Sequence, residues 1–227
     1  MSNINQWRFE ELPNSKIIIT EEVYNRLMFL IGRSAWVSSE HSSTLFGRKI
    51  DGEDAWIIDE VNANEDYISR GTNSTNPSDY SVSTGQNQSI EVQNKLEQGP
   101  GVVVIDIHTH PSGLIDDYRF ISSGDESVYM QYNNIVSNKG GTFFAGLIGV
   151  DRVNGNMSFS VVWYNKLNNK FYRVKDIMLR KKDEYGRITD FLFPKYGNTQ
   201  LICTNWSNED LKLPQSVEED IINLKHR

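Results

Sequence analysis

Residues Val102 to Ile107 read VVVIDI, and the next four, His108 to Pro111, read HTHP. An almost unbroken run of β-branched side chains makes a buried strand. Proline, which has no N–H to give to a ladder, ends it. A chain carrying such a strand has to build a sheet around it. Residues i and i+2 of a strand point the same way, so His108 and His110 present two imidazoles side by side while Thr109 faces the other way. The chain has only four histidines, and two of them stand here.

The flanking segments supply the rest of a mixed α/β fold. KIIIT followed by EEVYNRLMFLIGRSA reads as a strand running into a helix, with Thr20 as N-cap and Glu21 and Glu22 at the positive helix end. Val23, Leu27, Leu30 and Ile31 form its apolar stripe, which should lie against a sheet. Thr44 to Ile50 and Ala55 to Val61, joined by DGED, make a hairpin. Asn62 to Gln88 is a long polar loop. Ser89 to Gly99 is a short helix with Ser89 as cap and Gly99 as stop. After HTHP, Ser122 or Ser123 caps a helix from Gly124 to about Asn138, with Val128, Ile135 and Val136 on its apolar side and NKGG as its stop. TFFAGLIGVD and MSFSVVWYN are two more strands joined at RVNGN. KFYRVKDIMLR fits either a strand or a helix, and QSVEEDIINLKHR reads as a final helix. The domain expected from this pattern covers residues 1–165, with 166–227 as a C-terminal extension.

Composition excludes several classes of function. Five Trp and ten Phe in 227 residues speak for a packed core rather than a disordered chain. A formal net charge of −7 disfavours nucleic acid as main partner. Lys166, Lys170, Arg173, Lys175, Arg180, Lys181 and Lys182 crowd one segment, which reads as a solvated face. No apolar run is long enough to span a bilayer, so no membrane role is expected. The single cysteine, Cys203, and the polar opening MSNINQWRFEELPNSK point to a reducing, cytoplasmic setting, with Cys203 a buried or idle thiol.

The histidine pair gains meaning from the helix downstream of it. Ser122 and Asp125, spaced S-x-x-D, open that helix and come to the side of the pair. A catalytic zinc takes three N or O ligands and keeps a fourth position for water, a set that His108, His110 and Asp125 would supply. The plainer alternative makes the histidines surface residues and Asp125 a favourable charge at its helix start. Activated water also needs a carboxylate that shuttles the proton to the leaving amine, and Glu40, in SSEHSS, is the candidate. His41 should point to the opposite side, as packing or surface.

Together these residues resemble the JAMM (JAB/MPN-type) metalloproteases, whose pattern is an upstream Glu, then H-[ST]-H-P, then S-x-x-D. Glu40, HTHP and SSGD at Ser122 to Asp125 match it. EHSSTLFG is similar to the family's E-x-x-G-x-L-x-G run, with Ser43 in place of the first Gly and Leu45 and Gly47 in register. The likeness spans roughly Ile17 to Tyr164. It implies a mixed β-sheet flanked by helices, a cytidine-deaminase-like architecture. It also implies Zn2+ on His108, His110 and Asp125, Glu40 as general acid/base, and Ser122 hydrogen-bonding the tetrahedral intermediate. The implied activity is hydrolysis of an isopeptide or peptide bond after the C-terminal tail of a ubiquitin-like protein, in the manner of prokaryotic-type deubiquitinases, alongside E1/E2-like conjugating enzymes. The chain departs from the family between Pro111 and Ser122, where about six residues are usual and SGLIDDYRFI has ten. Asp116 and Asp117 in this insert compete as ligands, but S-x-x-D favours Asp125. The insert and the polar loop are expected to frame the groove for the extended tail.

Two other kinds of protein share parts of this pattern. Amidohydrolase-type barrels also use H-x-H, but need further histidines on later strands, and only His226 comes after the pair. A scaffold of the same fold, inactive or switched on by a partner, shares every surface feature. The complete ligand set argues for activity.

Overall fold

The computed structural model describes residues 9–37, 41–62, 86–111, 123–150, 157–193, 195–196 and 199–203. In chain order the elements are β1 (Glu10–Thr20), α1 (Glu21–Val37), β2 (Ser42–Lys49), β3 (Ala55–Val61), α2 (Gln86–Glu97), β4 (Val102–Pro111) and α3 (Ser123–Asn138). Next come β5 (Thr142–Val150), β6 (Met157–Asn165), β7 (Lys170–Lys182), β8 (Ile188–Leu192), β9 (Lys195–Tyr196) and β10 (Thr199–Cys203). The fold is mixed α/β and rich in strand.

All strands join one sheet in the order β8-β7-β1-β3-β2-β4-β5-β6-β10-β9, and β6 also pairs with β7. That extra pairing, Val162 with Arg173 through Asn165 with Lys170, closes seven strands into a ring. β1 runs parallel to β3 and β7, and β4 parallel to β5; the other pairs are antiparallel. The segment that sequence left between strand and helix is therefore β7, and it enters the ring from beyond residue 165. Its neighbour β1 accommodates it through an irregularity between Leu12 and Lys16, where Asn14 has φ 59°. Buried Ser15 fills that gap, its hydroxyl donating to the Leu12 carbonyl at 2.7 Å and accepting from the Lys175 N–H at 2.9 Å.

Side-chain alternation splits the core in two. Inward residues of all seven ring strands, including Ile17, Leu45, Ile58, Ile105, Phe144, Val161 and Ile177, pack with Val23, Leu27 and Leu30 of α1. Three of the four residues read as the α1 stripe, at i, i+4 and i+7, thus face the ring, and the side chain of the fourth, Ile31, lies outside the description. Strand and helix join without a loop, and Thr20 Oγ1 makes no hydrogen bond among the described residues, so the expected side-chain cap is not formed. On the outer face, Phe46, Val104, Phe143, Ala145 and Leu147 are covered by Val92 and Leu96 of α2 and by Tyr129 and Val136 of α3.

Two helices differ in detail from the sequence reading. Helix α2 begins at Gln86, so Ser89 lies inside it rather than capping it. On α3, Val128 and Ile135 are exposed at 44% and 52%, whereas Tyr129, Asn133 and Val136 are buried. The buried face is turned by roughly 100°, one residue's rotation. The helix must aim Asp125 and Tyr129 at β4, and that leaves Val128 on the flank. NKGG stops α3 as expected: the Gly141 N–H bonds the Val136 carbonyl at 3.1 Å, with Gly140 at φ 81°.

The hairpin β2–β3 is as read, and Gly47 sits at a register shift in it. A Cβ there would lie 2.0 Å from the Ile57 carbonyl oxygen, so only glycine lets the strands approach. The basic segment lies mostly on β7 and is partly paired, Arg173 with Glu11 at 2.5 Å and Arg180 with Asp190 at 2.7 Å. No helix among the described residues is long and apolar enough to cross a membrane. Residues 63–85, the RVNGN turn and the expected final helix lie outside the described residues.

Candidate metal centre

Strand β4 continues through His108, His110 and Pro111, so its last turn of the pleat carries the pair on the outer face of the ring. The register places Ser42 of β2 on one side of His108 and Leu147 of β5 on the other, both on that face. Helix α3 starts above them and delivers Asp125 from its first turn. His108 is 6% exposed and His110 2%. Neither is a surface histidine.

The ligand atoms converge. Nε2 of His108 is 2.8 Å from Nε2 of His110, and Asp125 Oδ2 is 3.7 Å and 3.8 Å from the two. A circle through atoms separated by 2.8, 3.7 and 3.8 Å has a radius of about 2.0 Å, which matches Zn–N and Zn–O bond lengths of about 2.0–2.2 Å. A single cation can therefore touch all three with little movement. The three residues form a group able to hold a metal ion. The histidine side is closed, while the Asp125 side chain is 25% exposed.

The charge pattern suits a cation. Asp125 and Glu126 stand together in the first turn of α3. Partial burial, and after it the neighbouring Asp125 carboxylate, hold the Glu126 carboxyl above its ordinary range. A cation bound by Asp125 would relieve that repulsion.

Thr109 faces away from the centre, as expected, and is fully buried. Its hydroxyl accepts a hydrogen bond from the His41 N–H at 2.9 Å, and its own N–H donates to the His41 carbonyl at 2.9 Å. His41 is thus a buried residue clasped to β4, which agrees with a packing role. Glu40, its chain neighbour, lies outside the described residues, as do Ser122, Asp116 and Asp117. Of the five site residues read from sequence, the structure brings together His108, His110 and Asp125. It adds one that sequence reasoning missed: the Tyr129 hydroxyl lies 2.7 Å from His108 Nδ1. The signal was present, since Asp125 and Tyr129 are four apart and share a helix face.

No protein-family model matches the sequence, and no curated protein matches it. Among solved structures, the chain is similar to the Trichoplax adhaerens STIL N-terminal domain, with a TM-score of 0.30 and 15% identity over 62% of this chain and 39% of that one. The chain thus spans less than half the length of that neighbour.

Proposed function

We propose that the chain is a zinc-dependent metallopeptidase that hydrolyses the isopeptide or peptide bond following the C-terminal tail of a ubiquitin-like protein. The observation that carries this reading is the convergence of His108, His110 and Asp125 on one point, within an HTHP and S-x-x-D pattern. The order of helix, hairpin, helix, strand and helix is the one the resemblance implies, whereas the sheet differs from the expected JAB/MPN-like one in closing through β7 into a seven-stranded barrel. Bound zinc would supply a water ionised near neutral pH and polarise the scissile carbonyl. Glu40 would take the proton from the nucleophile and hand it to the leaving amine. The Ser122 hydroxyl would donate to the oxyanion as charge develops there. Thr109 holds His41, the residue after Glu40 in sequence, beside the ligand strand.

Two histidines and one carboxylate also serve iron(II), so metal analysis comes first. Purified protein should hold one zinc per chain, lost in the His108→Ala/His110→Ala double variant. The zinc-loaded protein should cleave a fluorogenic amide at the C-terminus of ubiquitin or of a ubiquitin-like protein, and chelation should stop it. Glu40→Ala should keep the metal and lower turnover about 10²–10⁴-fold. Zinc binding without cleavage of any such tail would sink the peptidase reading and favour a binding scaffold of this fold.

A further inference from the structure

Neutral imidazole can bind a cation through Nε2 only when its proton sits on Nδ1. For His108, the group facing Nδ1 is the Tyr129 hydroxyl, at 2.7 Å. Tyr129 is 2% exposed, and its ring packs on His108 and Phe143 at centroid distances of 6.1 Å each. The neighbouring Tyr132 stacks on Phe143 at 5.8 Å. The phenol is thus held in place by packing, independently of any metal.

With the proton on Nδ1, the contact is Nδ1–H donating to the phenol oxygen, and Nε2 turns its lone pair toward the point shared with His110 and Asp125. With the proton on Nε2, the phenol donates to Nδ1 and that lone pair is lost to the metal. A hydroxyl fixed at Nδ1 holds the ring rotation, and it accepts from Nδ1–H in the tautomer whose Nε2 is open to the metal, as groups behind metal-bound histidines do elsewhere. The same helix delivers Asp125 one turn earlier, so one rigid element sets a ligand and orients another.

We propose that Tyr129 is a positioning residue of the metal centre, accepting a hydrogen bond from Nδ1–H of His108 and so directing Nε2 at the metal. The inference rests on the metal reading of this site and is independent of what the protein cleaves. A phenol does this without adding charge, so the centre keeps Asp125 as its single anionic ligand among the three.

Tyr129→Phe keeps the ring packing and removes only the hydroxyl. Zinc affinity measured by chelator competition should fall about 10–100-fold, the usual effect of losing such a partner. Tyr132→Phe, which removes a hydroxyl from the same helix, should bind zinc like the parent. In long-range ¹H–¹⁵N spectra of the zinc-loaded parent, the His108 Nδ1 proton should be visible and slow to exchange, and in Tyr129→Phe it should be lost to exchange. Parent-like zinc affinity in Tyr129→Phe, or an equal loss in Tyr132→Phe, overturns the inference and leaves the metal centre standing. A parent that binds no zinc overturns both. A weakened Tyr129→Phe in a protein that binds zinc but cleaves no tail leaves this inference intact and removes the peptidase reading alone.

Discussion

Replacing Asp125 with alanine separates its two possible roles, metal ligand and favourable charge at the start of α3. Losing a helix-start carboxylate costs about 0.3–1 kcal/mol. For a protein of this size that lowers the melting temperature of the metal-free form by about 1–4 °C, at about 2–4 °C per kcal/mol. Zinc at 100-fold above the parent's Kd stabilises the folded state by about 2.7 kcal/mol, a rise of about 5–11 °C. Without Asp125 the remaining ligands are two neutral imidazoles whose Nε2 atoms are 2.8 Å apart, with no anion to offset the cation's charge. If affinity falls about 100-fold, the stabilisation at the same zinc concentration drops to about 0.4 kcal/mol and the shift to about 1 °C. The assay is calorimetry of parent and variant with and without zinc, after chelator competition has set the parent's Kd. A variant that melts slightly lower without metal but keeps the parent's full zinc shift would refute Asp125 as a ligand and leave it a helix-end charge.

Three further outcomes test the frame around the site. Thr109→Val strips the hydroxyl that the His41 N–H donates to at 2.9 Å, leaves a buried donor unsatisfied, and should lower stability by about 1–3 kcal/mol in urea unfolding. Peptidase activity should fall further than stability explains if this clasp positions the Glu40 segment, and unchanged activity would remove that role. Gly47→Ala drives a Cβ to 2.0 Å from the Ile57 carbonyl oxygen and should cost about 1–3 kcal/mol or more, read as a lower urea midpoint. The side-chain hydrogen bonds from Arg180, with its charge as a smaller cause, hold the Asp190 carboxyl below its ordinary value of 3.8. Because the folded-state pKa is depressed, the stabilisation is whole above pH 3.8 and fades as pH falls through the lower folded value. Asp190→Asn should therefore be less stable than the parent by up to about 1 kcal/mol at pH 7 and equal to it in strong acid. A gap that persists in acid would contradict the assignment.

Local patterns were legible wherever the physics is local. VVVIDI reads as a strand because β-branched side chains fit a buried pleat, and H-x-H reads as a paired face because a strand repeats every two residues. The α1 stripe, the β2–β3 hairpin and the glycine stop of α3 depend likewise on short-range geometry. The buried face of α3 was not legible, because Val128 and Ile135 are apolar by type whereas burial was set by the helix's position over β4. Polar Asn133 is buried there, and Ile135 is left in water.

What the sequence determined by itself is the set of side chains and their local placement: two imidazoles on one face at the end of a strand and a carboxylate in the first turn of a helix. The tertiary structure alone decided that the three atoms meet within bonding distance of one point, that Tyr129 stands behind His108, and that β7 closes the ring between β1 and β6. These depend on pairings between residues as far apart as Glu10 and Tyr172, and no local periodicity encodes which strand edge a distant segment will find. Such choices are settled by burying the inner faces of the seven strands together with α1 in one core, a condition that only the whole chain can meet.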